Sequence, residues 1–180
     1  IKRRNGAEGW ITWHEQFAPP TNKALYLNEN YAQGASGSNW MTAVSDSTFT
    51  YTSGQYTSAG TKVAYCFHSV EGYSKIGKYE GNGSSDGAFI YTGFRPAFII
   101  MKRYDAAANW IMVDNRRIGY NVENYDLSPD QQIAEEDNNR LDIVSNGFKF
   151  RSSYGTGNTG GGDYIYIAFA EQPFKYANAR

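Results

Sequence analysis

Apolar and polar positions alternate most clearly in the second half of the chain. Phe148 and Phe150 are separated by Lys149, and residues 164–170 hold apolar or aromatic side chains in a continuous run. A period of two is typical of β-strands packed on at least one face, because successive side chains point to opposite sides of the sheet. The pattern therefore predicts strands at both places.

Two further stretches predict β-hairpins. Residues 98–103 and 109–114 are apolar runs separated by a turn at residues 105–107. Residues 73–80 and 88–92 flank a glycine-rich turn in the same way. Strand-like runs bounded by turn residues are the usual signature of a hairpin.

Helix is expected in one place only. Ser128 can cap a first turn, Pro129 suits the first helical position and Gln131 completes a capping box, which predicts a short surface helix from residue 128 to about Asp137. Residues 152–162 are rich in glycine and serine and predict a long flexible turn between two strands.

An internal repeat organises the chain. Three blocks of the first half recur in the same order in the second, and Lys-Arg and Trp-Ile pairs recur in the first block at the same spacing. The matching blocks are residues 1–11 with 101–111, 44–51 with 143–150, and 60–67 with 162–169. Self-similarity at a fixed offset indicates two copies of one structural unit.

These patterns predict an all-β fold. We expect two related antiparallel β-sandwich units, jelly-roll or lectin-like, with at most one short helix. The first unit spans residues 1–72 and the second residues 73–180. Because the first lacks an opening hairpin like that of residues 73–91, we expect residues upstream of Ile1 or a neighbouring chain to complete it. No flexible linker separates the units, which favours tight packing between them.

Composition narrows the function classes. Seventeen Lys and Arg face 18 Asp and Glu, so no basic surface is expected for nucleic acid. No apolar run reaches the roughly 20 residues needed to cross a bilayer, so membrane insertion is not expected. The single cysteine, Cys66, aligns with Ala168 in a strand predicted to be buried, which favours a small core residue over a nucleophile.

Motifs for catalysis or cofactors are weak. Residues 155–160 fit G-x-G-x-x-G, but a strand follows where dinucleotide binding needs a helix, so a hairpin loop is the favoured interpretation. His14 and His68 are the only histidines and have no histidine counterparts in the repeat. The acidic stretch 130–142 lacks calcium-loop spacing. No catalytic residue, metal site or cofactor is therefore expected.

Aromatic side chains are the remaining site candidates, because rings can stack on sugar faces. Trp10 and Trp110 correspond in the repeat and are assigned to the core. Trp13, Tyr31, Trp40 and Tyr154 lack aromatic counterparts and lie near turns. They are the predicted glycan-binding residues.

A family resemblance agrees with this interpretation. Residues 164–180, residues 63–79 and the segments Tyr91-Thr92-Gly93-Phe94-Arg95-Pro96-Ala97-Phe98 and Ser145-Asn146-Gly147-Phe148-Lys149 resemble a repeated β-sandwich domain of bacteriophage virion proteins, often labelled tail or tail-fibre proteins. The resemblance is clearest from about Lys62 to Arg180. It implies a virion protein without enzymatic residues, whose partners are copies of itself and other virion proteins.

The expected function is thus a non-enzymatic structural component of a bacteriophage particle, such as a tail fibre, appendage or surface protein, located on the virion and contributing to host attachment. The alternative is a carbohydrate-binding module without catalytic activity, which would bind a host surface glycan. A glycan-cleaving enzyme would require two carboxylates facing one groove, and the sequence pairs none across the copies.

Overall fold

The computed structural model describes residues 1–17, 23–35, 41–51, 60–117, 121 and 123–174. These residues form strands and one helix, α1, of four residues. The elements in chain order are β1 (Lys2–Arg3), β2 (Ile11–Thr12), β3 (Lys23–Tyr26), β4 (Gly34–Ala35), β5 (Met41–Val44), β6 (Phe49–Tyr51), β7 (Lys62–Val63), β8 (Ser74–Glu80), β9 (Phe89–Tyr91), β10 (Pro96–Arg103), β11 (Trp110–Asp114), β12 (Glu123–Asp126), β13 (Glu136–Val144), β14 (Gly147–Phe150), α1 (Gly155–Asn158) and β15 (Asp163–Ala170). The predicted all-β class is confirmed.

The second half contains two four-stranded antiparallel sheets. Sheet I has the order β11-β10-β15-β8, and sheet II has the order β12-β13-β14-β9. One core cluster contains side chains of both sheets, among them Ile99 and Met101 of sheet I and Leu141 and Phe148 of sheet II. The sandwich arrangement stays a prediction, with which this shared core is compatible.

The predicted hairpin of residues 98–114 is confirmed. β10 pairs with β11 in antiparallel register from Phe98↔Asp114 to Lys102↔Trp110. Along β10 the side chains of Ile99 and Met101 enter the core shared by the two sheets, as the alternation requires. Ile100 packs instead against a second cluster on the other face of sheet I.

Strand pairing in the first half repeats that of the second half. The equivalent pairs join positions that the sequence repeat aligns, apart from a drift of one or two residues. They are Lys2↔Val63 with Lys102↔Ile165, Arg3↔Lys62 with Arg103↔Tyr164, Thr12↔Leu25 with Met112↔Leu127, and Val44↔Phe49 with Ile143↔Phe148.

Side-chain hydrogen bonds recur as well. In each half a lysine of the Lys-Arg pair donates to the carbonyl of the following arginine, and the backbone N–H of the aligned tryptophan donates to a carboxylate or amide oxygen. The bonds are Lys2 Nζ to Arg3 O (3.0 Å), Lys102 Nζ to Arg103 O (2.7 Å), Trp10 N to Asn28 Oδ1 (2.7 Å) and Trp110 N to Asp130 Oδ1 (3.1 Å). The division of the chain after residue 72 stays a prediction.

Residues of both halves share one apolar cluster. Phe17 and Leu25 of the first half lie with Tyr104, Trp110 and Ile165 of the second. The indole N–H of Trp110 donates to the carbonyl of Tyr26 at 2.9 Å. Burying a tryptophan while satisfying its only donor is the usual way to place this residue in an interface.

The hairpin predicted for residues 73–92 is wrong. β8 belongs to sheet I and β9 to sheet II, so the connection at residues 81–88 crosses from one sheet to the other. The buried side chain of Asn158 holds this connection. It accepts from the backbone N–H of Asn82 at 3.0 Å and donates to Asn82 Oδ1 and the Ser84 carbonyl. A local pattern cannot reveal such a distant partner.

The helix predicted from residue 128 to Asp137 is also wrong. Residues 128–131 form a turn, with Gln131 N–H donating to the Ser128 carbonyl, and β13 begins at Glu136. Leu127 bridges to Met112, and the carboxylate of Asp130 accepts from the Trp110 N–H. These contacts with β11 use the segment's polar groups and replace helix capping.

Two loop expectations also need correction. Residues 152–162 are not a hairpin loop, because β14 and β15 lie in different sheets and α1 occupies part of the segment. A Cβ on Gly157 would meet the Phe150 ring at 2.6 Å, so this glycine permits close packing. Cys66 is exposed rather than buried, and residues 64–69 belong to no strand.

Candidate functional site

A polar network lies on sheet II beside Tyr154. The Arg140 guanidinium lies 4.1 Å from the centre of the Tyr154 ring, in cation–π contact. Its Nε donates to the carboxylate of Asp126, and both side chains of this ion pair are buried. Burial raises the pKa of Asp126 although Arg140 opposes the shift. A buried ion pair of this kind requires both partners, because either one alone would be an uncompensated charge.

Three buried polar atoms in this part of the chain have no hydrogen-bond partner among the described residues: Arg140 Nη1, Asp142 Oδ1 and Ser152 Oγ. Arg140 and Asp142 are two residues apart on β13, so their side chains share a face of sheet II. The other oxygen of Asp142 accepts from Arg151. Buried groups of this kind are usually satisfied by an ordered water or by a ligand hydroxyl, since each of these both donates and accepts.

The four aromatic residues predicted from sequence have different surroundings. Tyr154 and Tyr31 are exposed, whereas Trp13 is half-buried and packs against two core clusters. Trp40 lies outside the described residues. Of the four, Tyr154 is the one in ring contact with the polar network. The glycan-binding role of all four stays a prediction.

A second surface feature is a group of five rings that we call the aromatic patch. Its members come from three stretches of the chain, residues 67–73, residue 98 and residues 169–174: Phe67, Tyr73, Phe98, Phe169 and Phe174. Tyr73 and Phe174 stack with ring centres 5.4 Å apart, and both are substantially exposed. The sequence pattern does not indicate the patch, although the repeat aligns Phe67 with Phe169.

Phe174 reaches the patch with a backbone that is unfavourable for its residue type. Its φ is 64°, in the left-handed region that glycine prefers, and its N–H donates to the Gly72 carbonyl at 2.9 Å. Such a conformation costs on the order of 1–3 kcal/mol and persists only when neighbouring contacts hold it. The ring stack with Tyr73 is one such contact.

A third feature is the apolar surface of the first half. Val44 is 47% exposed and Tyr51 38%, whereas the aligned Ile143 and Phe150 are 2% and 1% exposed. Tyr65 and Phe67 are also exposed. In the second half, β9 covers one edge of sheet II and β8 one edge of sheet I. Within the described residues, the first half has no element aligned with either strand.

Titratable groups do not assemble into a metal site in the described ranges, where no group of three or more His, Cys, Asp and Glu side chains could hold an ion. His14 is buried, and its Nδ1 accepts from the Gln16 N–H at 3.1 Å. Burial lowers the pKa of His14 to about 4, while Glu15 opposes the shift. This histidine is therefore neutral at pH 7, and it accepts a hydrogen bond within the turn at residues 14–16.

The architecture defines the class as an all-β protein with an internally repeated strand pairing. The chain belongs to the family described as a domain of unknown function, DUF7483, whose model matches residues 1–173. No curated protein and no solved structure matches the chain. None of the helices in the described residues is long and apolar enough to cross a membrane.

Proposed function

We propose that the chain is a non-enzymatic structural component of a bacteriophage particle, such as a tail fibre, appendage or surface protein. The observation that carries the proposal is the apolar surface of the first half, where positions buried in one copy of the repeat are exposed in the other. A soluble protein rarely leaves such a surface open unless another polypeptide binds there. The phage assignment rests on the resemblance of residues 62–180.

The aromatic patch supports an assembly role. Exposed aromatic side chains are enriched at protein–protein interfaces, where they bury much area for little loss of conformational freedom. The expected partners are other copies of the chain and other virion proteins. The expected location is the surface of the virion, where the protein would contribute to attachment to the host.

Immunogold electron microscopy tests this function. An antibody raised against the chain is applied to purified phage particles from cells that encode it, and particles without the encoding gene serve as the control. Gold on the tail, fibre or capsid surface is expected. Particles that lack the chain by both gold labelling and mass spectrometry would overturn the proposal.

The Tyr154 network favours a second candidate function, carbohydrate binding without catalysis. An exposed ring beside open, buried hydrogen-bonding groups has the two features that sugar recognition needs: an apolar face and fixed polar partners. The site would bind a host surface glycan. This function is compatible with the structural role, because an appendage protein can do both.

A glycan array tests the second candidate. Tyr154→Ala is expected to lose about five- to thirtyfold in affinity for any glycan that the unchanged chain binds, since one lost stacking contact costs on the order of 1–2 kcal/mol. Tyr91→Ala is the matched control, because Tyr91 is similarly exposed but is neither in the described network nor among the predicted glycan-binding residues. Absence of glycan binding, or equal losses in both variants, would contradict a site at Tyr154.

A further inference from the structure

Residues 64–67 of the first half carry apolar side chains without strand neighbours. All four residues are exposed, and within the described ranges their backbone forms no hydrogen bond with another segment. The preceding strand β7 is paired with β1 through Lys2↔Val63 and Arg3↔Lys62. The pairing therefore stops where the apolar sequence continues.

The second half shows how the aligned segment is covered. Residues 166–169 lie inside β15, between β10 on one edge and β8 on the other. Ala168, the counterpart of Cys66, pairs with Ile99 of β10 and Lys75 of β8 and is fully buried. The difference between the halves is therefore the presence of neighbouring strands.

We propose that residues 64–67 are a receptor strand, completed by a β-strand with the apolar pattern of residues 96–100 that a different protein chain donates. The added strand lies in line with β1 and antiparallel to the receptor strand. The fourth residue of this pattern, equivalent to Ile99, lies opposite Cys66, as Ile99 lies opposite Ala168. The inference deepens the proposed assembly role by naming what the open surface binds.

The existing pairing favours this edge. β1 and β7 already have the register that β10 and β15 have at Arg103↔Tyr164 and Lys102↔Ile165, so the added strand would extend an established ladder. Strand addition to an exposed edge gains backbone hydrogen bonds, and side-chain pockets provide specificity.

Two other occupants of the exposed surface of the first half fit less well: a strand that follows the path of β9, and a second copy of this chain. Gly147 lets β9 approach closely, because a Cβ there would meet the Ile90 carbonyl oxygen at 2.1 Å. The aligned residue in the first half is Thr48, whose Cβ would obstruct that path. In a second copy, residues 96–100 already pair with β11 and β15, so donating them would disrupt its own sheet.

The test attaches a copy of residues 94–100 directly before Ile1 and measures alkylation of Cys66, the only cysteine. We expect the alkylation rate to fall about tenfold or more, because paired and buried segments react only through local opening. Hydrogen exchange at residues 64–67 should slow in parallel. The control is the same extension with Ile99→Asp in the added copy, which should protect neither.

Two outcomes would overturn the proposal. One is equal Cys66 reactivity with and without the extension. The other is loss of Cys66 reactivity in the unextended chain as its concentration rises, which would identify a second copy as the occupant. Neither measurement uses a phage particle, so a negative result here is distinct from failure of the proposed particle function.

Discussion

The two halves of the chain have the same strand pairs but different burial. Val44 pairs with Phe49 as Ile143 pairs with Phe148, yet Ile143 and Phe148 are buried while Val44 is exposed. Pairing of this kind depends on a short turn and its flanking residues, so each copy can specify it locally. Burial depends on strands from elsewhere. The repeat thus encodes its hairpins in each copy, but its core is complete only where neighbouring strands cover it.

The largest expected difference concerns the aligned phenylalanines. Phe148→Ala removes a fully buried ring from the core shared by sheets I and II and should lower the free energy of unfolding by about 3–5 kcal/mol. Phe49→Ala removes a partly buried ring and should cost about 1 kcal/mol. Urea denaturation of the full chain measures both.

Equal losses for the two variants would show that the halves have cores of similar quality. A loss at Phe49 that grows after addition of the 94–100 extension would sharpen the comparison, because it would show that completing the unit raises the burial of its core.

A pH effect separates His14 from its aligned residue, Asp114. His14 has a folded pKa of about 4 against 6.5 when unfolded, so the unfolded chain binds the proton first as pH falls. The stability contributed by neutral His14 should be complete above pH 6.5 and decline by up to about 3 kcal/mol by pH 4. His14→Asn, which retains an acceptor for the Gln16 N–H, should flatten the profile in that window.

Asp114→Asn is the matched control. Burial raises the pKa of Asp114, but the hydrogen bonds from Arg116 and Arg117 lower it by more than burial raises it. The pKa of Asp114 therefore lies below its usual value. This variant should therefore run parallel to the unchanged chain between pH 6.5 and 4. A flattened profile in Asp114→Asn and not in His14→Asn would contradict the assignment.

Close approach of β9 provides a smaller contrast. Gly147→Ala would place a methyl group against the Ile90 carbonyl and should cost about 1–3 kcal/mol through forced backbone movement. Thr48→Ala, at the aligned position without a neighbouring strand, should change stability by less than about 0.5 kcal/mol. Thermal unfolding measures the difference, and a tolerated Gly147→Ala would show that β9 does not constrain this site.

The smallest effect concerns the side chains that accept from the aligned tryptophans. Asp130→Ala leaves the backbone N–H of buried Trp110 without its partner and should cost about 1–2 kcal/mol. Asn28→Ala does the same at Trp10, where water can substitute, and should cost about 0.5 kcal/mol. A larger loss of stability in Asn28→Ala than in Asp130→Ala would contradict the inference that the backbone N–H of Trp110 is the more buried of the two.

Local patterns predicted the elements whose partners are near in sequence. The alternation at Phe148 and Phe150 and the hairpin of β10 and β11 are correct because each is specified within about 20 residues. The separation of β8 and β9 into different sheets depends on Asn158, more than 60 residues away. The charged start of β13 was predicted to end a helix, because the capping pattern at residues 128–131 is visible in the sequence. The pairing of β13 with β12 cannot be inferred from composition.

The candidate site was predicted only in part, for a related reason. Tyr154 stands out as an aromatic residue beside a turn, but Arg140 and Asp142 resemble an ordinary solvated strand face in the sequence. Their burial and their open hydrogen-bonding atoms are visible only after sheet II is assembled. Trp13 is the opposite case, because a tryptophan without a counterpart in the repeat packs against two core clusters instead of facing solvent at a turn.

The Asn158 side chain also has a consequence for chemical ageing. Loss of its amide nitrogen by deamidation would leave a carboxylate facing the carbonyls of Ser84 and Ser152, where the amide now donates. Deamidation begins when the backbone nitrogen of the next residue attacks the side chain, and in the fold the N–H of Thr159 is held by the Tyr164 hydroxyl at 2.9 Å. The folded chain therefore protects this amide from a reaction that would weaken the bonds holding the connection between β8 and β9, and each transient opening of the segment exposes it again.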